Sequence, residues 1–449
     1  MKKIFVILTI VLFFTQCRWG DGPDNVEITD SISQYGITWT FAKPALTGRF
    51  INGDYWVVGP VEITDIDPVP ENGRNGSAID LNVAGTDYTT GNACWDDRIV
   101  HGRYDPVNLI SLPFELEPGR SLVSTASVDE LGLLIKMLRG GTTDIPTRTA
   151  AVLTCLDAPA SEDAFRPGYA DPGATLYYAS NLQKELLPRL SYPEHVPAFS
   201  EFERYLERPW LDTAYDEFTA PPENMPVYGR EYTRIVSIAG LLLCLDLDMA
   251  EKETLLIRMV QLGIDLRGLM MAGYVGWPAV GGHGNGRKLP LLLAGFLLGE
   301  EDMQRPDLYF PGVMFSEDIQ TMYDTSWTGA NVVFAGHAGA DGHPNYPDWG
   351  AYEHLHPSEW PGTTGETYRR CCTSIAWVGE ATAAKLLGLQ EIWNHDAYFD
   401  YILRWMTEDD REHVQIILQE TGEDLSQDWA AQGQAWDAFV EEMWALYWL

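Results

Sequence analysis

Hydrophobic and polar positions change their period once along this chain. From Tyr35 to about Ser127 they alternate: Ile37, Trp39 and Phe41 interleave with Thr38 and Thr40, then Tyr55-Trp56-Val57-Val58 and Val61-Glu62-Ile63-Thr64 follow. Alternation with period two marks strands that turn one face to a core. Asn52-Gly53-Asp54, Asn72-Gly73 and Pro118-Gly119 supply the turn chemistry of hairpins between them. The pattern predicts a β-rich, sandwich-like domain over residues 35–127.

Beyond Asp129 the period becomes helical, beginning with Leu131, Leu133, Leu134, Ile135, Met137 and Leu138. Helices are predicted over 175–190, 198–208, 229–247, 250–264, 287–299, 374–388, 391–406, 408–419 and 428–447. No strict repeat accompanies them. Many helices of this length in one stretch, residues 128–449, predict a helical toroid, the (α/α) barrel, with long loops gathered at one mouth. The expected fold class is therefore mainly α with an N-terminal β-rich domain.

The first residues read as an export signal. Lys2 and Lys3 precede an apolar run from Ile4 to Phe14 broken only by Thr9, and Cys17 follows before the chain turns polar. As a helix the run covers about 16 Å, against about 30 Å of hydrocarbon. Residues 1–17 are expected to be a signal peptide and 18–34 a linker, which places the protein outside the cytoplasm: periplasmic, on the cell surface or secreted. Leu12 to Gln16 before Cys17 resembles the lipobox of bacterial lipoproteins. Lipidation of Cys17 would attach the chain to a membrane; ordinary cleavage nearby is the alternative, since Gln16 stands where a small residue is usual. No later segment is long and apolar enough for a membrane helix.

Charge narrows the partners. The formal net charge is −35, which opposes encounter with nucleic acid or an anionic membrane. Cysteines add little: after Cys17 come Cys94, Cys155, Cys244, Cys371 and Cys372, an odd set without CxxC spacing, expected as buried free thiols.

Residues 268–286 and 325–370 break the helical rhythm with Gly, Pro, His and aromatic residues, and long loops inside a folded domain are commonly functional. The first ends in Gly281-Gly282-His283-Gly284-Asn285-Gly286-Arg287-Lys288 before an apolar helix. It is not a phosphate loop, because the Lys spacing is wrong and no Ser or Thr follows Lys288. Its functional reading has His283, Asn285, Arg287 and Lys288 facing an acidic group of a substrate; the alternative is a Gly-rich helix entry with a solvated Arg-Lys pair. A second cluster, Tyr228 to Arg234, puts Tyr228, Glu231 and Tyr232 on one helix face and Arg230 and Arg234 on another. The second loop holds His337, His343, His354 and His356, with Glu353, Glu359 and Glu366, then Tyr368-Arg369-Arg370. His343, His354 and His356 are secondary candidates for a divalent metal, in a spacing that matches no named zinc motif. No cofactor is required by the reading below.

Serine-nucleophile chemistry has no GxSxG elbow to stand on. Cys371 and Cys372, beside Arg370, open an apolar helix and are expected to pack. The chain is instead rich in large rings, with 16 Trp and 21 Tyr, and flat rings stack on sugar faces. Carbohydrate is thus the leading substrate class, with Trp277, Trp349, Trp360 and Arg369 as binding candidates alongside Asn285, Lys288, Arg230 and Arg234.

In organisation (export, a helical domain, an attached β domain, and Tyr, His, Asn and Arg at Tyr232, His283, Asn285, Arg287 and Tyr368) the chain resembles the helical-toroid polysaccharide lyases. The resemblance implies β-elimination on a uronic-acid glycan. Arg287 or Asn285 would neutralise the uronate and stabilise the enolate-like state. His283, Tyr232 or Tyr368 would act as base and acid, a tyrosine as base requiring a pKa depressed by nearby arginines. Two other readings stay open. A glycoside hydrolase would use two of Glu231, Asp246, Glu353 and Glu366, and a non-catalytic surface lipoprotein would only bind glycan.

Overall fold

The alternation at Ile37, Trp39 and Phe41 becomes the buried face of one long strand. In the computed structural model, which describes residues 26–79, 94–98, 104–129, 146–211, 223–224, 229–279, 282, 284–340, 349–361, 365–425 and 432–449, eight strands form one sheet. They are β1 (Glu27–Gln34), β2 (Ile37–Arg49), β3 (Tyr55–Val58), β4 (Val61–Asp67), β5 (Ser77–Ala78), β6 (Phe114–Leu116), β7 (Arg120–Ser127) and β8 (Thr147–Leu156). Their order is β5-β7-β8-β3-β2-β4-β6, with β1 also on β2. Only the β3–β8 pair is parallel.

Strand β2 divides its length between neighbours. Thr38 to Phe41 pair with β4, and Thr47 to Arg49 pair with β3. The sheet curls about this strand, so that Trp39 Nε1 reaches Ser124 Oγ on β7 at 2.9 Å and Ile37, Trp39, Ile63, Leu122 and Leu153 share one core. One continuous curled sheet thus stands where a sandwich was expected. Two strands also lie outside the expected limits. Strand β1 occupies part of the expected linker, its exposed Glu27, Asp30 and Ser33 suiting an edge. Strand β8 lies past residue 127 because it is buried on both faces: Ala151, Leu153 and Cys155 meet the sheet core while Ala150 and Val152 meet the helical core. A strand covered on both sides loses its alternation.

The remainder is mostly helical. Its longer helices are α1 (Phe199–Tyr205), α2 (Gly229–Leu243), α3 (Met249–Met271), α4 (Lys288–Leu298), α5 (Ile375–Leu386), α6 (Asp396–Thr407), α7 (Arg411–Thr421) and α8 (Ala438–Tyr447). Helix α2 packs on α5 and α3 on α4. Gly263 permits the second contact, since a Cβ there would lie 2.4 Å from Pro290 O. The segment 175–190 forms only short 3-10 turns at Ala179–Asn181 and Lys184–Leu186. Its backbone bonds go elsewhere: Gln183 N–H to Leu297 O, 2.8 Å, and next to it Leu190 N–H to Cys244 O, 2.9 Å. The expected helix over 391–406 is split by Asn394, left-handed at φ 56°.

Arg166 fastens the two regions together. Its Nε donates to Asp54 Oδ2 at 2.5 Å, beside the turn between β2 and β3, and its other nitrogens reach both oxygens of Asp265 on α3 at 2.8 and 2.7 Å. Among the described residues no helix is long and apolar enough to cross a membrane. The expected signal peptide with Cys17, the helical pattern at Leu131 to Leu138, and residues 428–431 lie outside the described residues.

Candidate functional site

The Gly-rich turn enters α4 from a short strand, β9 (Gly276–Trp277), which pairs in parallel with β10 (Met314–Phe315). Gly286 has φ +84°, and a Cβ on it would lie 2.5 Å from Thr233 N of α2. Only glycine fits there. Directly after β10, Ser316–Ile319 makes a single helical turn, followed by Gln320 and the hairpin of β11 (Thr321–Tyr323) with β12 (Val332–Phe334).

Ser316 to Gln320 hold the turn from beneath. Ser316 Oγ donates to Asn285 Oδ1. Glu317 Oε1 accepts the Gly286 N–H at 2.6 Å. Asp318 takes Lys288 Nζ on Oδ2 at 2.5 Å and Trp393 Nε1 on Oδ1 at 2.9 Å. Gln320 Nε2 donates to Gly336 O, to His337 O and to the Tyr368 hydroxyl, at 3.0, 3.1 and 3.0 Å.

Tyr368 is where the two loops meet. Its oxygen accepts Gly282 N–H at 3.0 Å as well as the Gln320 amide, and its own hydrogen finds no acceptor among the described residues. His337 lies flat on its ring, centroids 3.8 Å apart at 16°, and Trp349 covers His337 at 4.5 Å. Burial pushes the Tyr368 hydroxyl above its ordinary range, against the pull of its Gln320 bond. It pushes His337 down to about 4. At neutral pH the site therefore holds a protonated phenol beside a neutral imidazole. The depressed tyrosine pKa expected from neighbouring arginines is not found at Tyr368, because burial dominates and no guanidinium bonds its oxygen.

Below the turn, Glu317 and Glu380 of α5 are both fully buried. Glu317 Oε2 and Glu380 Oε1 have no other protein partner, and the two carboxyls bond each other. Two carboxylates cannot share a dry site, so the pair carries a proton. Burial lifts Glu317 to about 7 and Glu380 well above the usual carboxylate range. Tyr398 OH donates to Glu380 Oε2 at 3.0 Å.

The other candidates are distributed around this centre. The Arg287 guanidinium lies 3.9 Å over the Tyr232 ring, and its Nη1 donates to Asn285 O at 2.6 Å, so the first two sequence clusters touch. Tyr232, Asn285, Arg287 and Lys288 are all buried; the Asn285 side chain is spent on Ser316 and Cys372 O, and Lys288 on Asp318 and Trp393 O. Arg230 is half-buried, bonded to Glu231 and Cys371 O and 4.4 Å over Trp436. Arg234 joins Glu231 and Asp437. Trp277 is buried between Tyr274 and Phe315, and Trp360 sits edge-on to Tyr352 with Nε1 on Leu355 O.

Arg369 and Arg370 are buried in an ion network. Glu366 bonds both, Arg369 also meets Glu353, and Arg370 meets Asp410. Burial alone would raise Glu366, but the two guanidiniums outweigh it and hold it at about 2. His354 and His356 are exposed, with His356 Nδ1 on Ser358 Oγ at 2.9 Å. Tyr228, His283 and His343 lie outside the described residues. Among the described residues, metal-capable groups gather instead at Glu194, His195 and Glu442, whose donor atoms lie within 4.8 Å of one another. The five described cysteines are free thiols, three of them buried.

Ser316, Glu317, Asp318, Gln320 and Glu380 had no sequence signal as a group. Acidic residues are so common here that a Glu-Asp pair stands out only once Gly286 and Lys288 are seen above it. No family model matches the chain, and neither a curated protein nor a solved structure does.

Proposed function

We propose that this protein is an exported carbohydrate-active enzyme that cleaves a uronic-acid glycan by β-elimination. The observation that carries the reading is the Tyr368 hydroxyl, held by two donors with its own hydrogen left to give, in contact with a neutral His337. Tyr368, protonated throughout the physiological range, gives its proton to the departing glycosidic oxygen. His337, neutral above about pH 4, takes the C5 proton. Arg230, half-buried and bonded to Glu231 and to Cys371 O, exchanges the Glu231 carboxylate for that of the uronate and so supplies its positive charge. Trp349 offers a ring for sugar stacking.

The helical-toroid arrangement belongs to this proposal, supported by the α2–α5 and α3–α4 pairs. The hydrolase alternative gains nothing from Glu353 and Glu366, which are buried in the arginine network, or from Asp246, which pairs with Arg189. The reaction needs no metal, and a divalent ion at Glu194, His195 and Glu442 would share no residue with it. The test is incubation of the purified protein with a panel of polyuronates. Ultraviolet absorbance from a new C4–C5 double bond, lost in Tyr368→Phe, is expected. Reducing ends without that absorbance would make it a hydrolase, and glycan retention without either product would make it a binding protein.

A further inference from the structure

A cavity of about 70 Å³ opens on the far side of the Lys288–Asp318 ion pair, lined also by Asp307, Phe315, Trp393 and Asn394. One water needs roughly 10–15 Å³ on this measure, so the space suits one edge of a small molecule. Its floor is buried, with Lys288, Phe315 and Trp393 almost without exposure. Lys288 Nζ lies 5.4 Å from the Phe315 ring centre and 5.0 Å from that of Trp393. Its rim is polar: Asn394 Nδ2 donates to Asp307 Oδ2 at 3.1 Å, and Arg305 pairs with the same carboxylate at 3.1 Å.

The lining selects a chemistry. Within the lining Lys288 balances Asp318, and Asp307 is balanced from outside it by its ion pair with Arg305. An anion would meet two carboxylates, and a metal ion would meet an ammonium. An apolar ligand would strand four polar side chains. Asp318 has accepted two hydrogen bonds of the roughly four a carboxylate can take. Lys288 has given two of three. Carboxylates that accept, an ammonium and an amide that donate, and aromatic carbon between them match the hydroxyls and C–H face of a sugar.

We propose that this pocket is a binding site for a single sugar ring, a glycan end or a free monosaccharide, built from Asp318, Lys288, Asp307 and Asn394. It takes its ligand class from the proposed activity and uses none of that activity's residues. Calorimetric titration of the whole protein with glucose, glucuronate, acetate and methylammonium tests it. Saturable glucose binding in the millimolar range, stronger than that of the anionic glucuronate, is expected, and it is weakened about tenfold in Asp307→Asn and in Asn394→Gly, which keeps the left-handed backbone. Tyr368→Phe should bind the sugar as wild type does, so loss of elimination with binding kept separates the two proposals. No sugar binding by wild type, binding unchanged in both rim variants, or preference for acetate or methylammonium overturns it.

Discussion

His337 lies face to face with Tyr368, ring centres 3.8 Å apart. Each belongs to the second long loop, yet the Tyr368 oxygen is fixed by Gly282 of the first and by Gln320 of neither. Three separate pieces of chain thus position one hydroxyl, which makes its removal informative.

Tyr368→Phe is expected to lower kcat for elimination by at least about 100-fold, the contribution typical of a positioned acid, with KM little changed. The two orphaned donors should cost about 1–3 kcal/mol of stability. Steady-state kinetics with a urea titration checks both. A variant that keeps full activity removes Tyr368 from the mechanism.

His337 predicts a pH limb. Its folded pKa of about 4 lies below the ordinary 6.5, so the unfolded chain binds more protons between those values and stability rises with pH across that window. The difference is no more than about 3 kcal/mol. His337→Gln should flatten this limb relative to wild type, read from urea midpoints at pH 4, 5, 6 and 7.

The Glu317–Glu380 pair works in the opposite direction. Glu317 keeps its proton to about pH 7 when folded, against 4.5 ordinarily, so the pair's contribution falls as pH rises from about 4.5 to about 7. Glu380→Gln gives Glu317 a permanent amide donor. Its stability, measured across the same window, should show a shallower decline, since burial of Glu317 remains while the second carboxyl is gone, and should exceed wild type at the alkaline end.

Gly286 and Gly53 separate a clash from a backbone preference. Both have positive φ, but a Cβ meets nothing within 4 Å at Gly53 and lies 2.5 Å from Thr233 N at Gly286. Gly53→Ala should cost about 1–2 kcal/mol, and Gly286→Ala clearly more, with loss of elimination because Gly282 shares its turn. Equal unfolding free energies would show that the turn relaxes.

Arg166→Met would leave Asp54 and Asp265 buried without their common partner. A loss of about 3–5 kcal/mol is expected, and Asp54→Asn/Asp265→Asn in the same background should recover part of it. Urea denaturation of the three proteins gives the comparison.

Much of the fold was legible where one face is solvated. The period-two stretch at Ile37 to Phe41 read correctly because solvent reaches its Thr38 and Thr40 face, while the helices at 229–243 and 375–386, buried on nearly every side, were legible by their length and apolar content. Strand β8 was not legible, since burial on both faces erases its alternation. The 175–190 segment misled because its amphipathic spacing serves contacts with Leu297 and Cys244 rather than a helix of its own. At the site, the Gly-rich turn and Tyr368 were legible as separate pieces.

The sequence by itself determined the elements with a regular period, the acidic charge that disfavours nucleic acid, and the need for glycine at a tight helix entry, because these follow from local sterics and solvation. Only the tertiary structure decided that Tyr368 faces His337 under Gly282, that Glu317 meets Glu380, and that Arg369 is held in an ion network. Those outcomes depend on contacts between residues far apart in the chain, and burial set by such contacts is what moves a pKa or takes a cation out of reach.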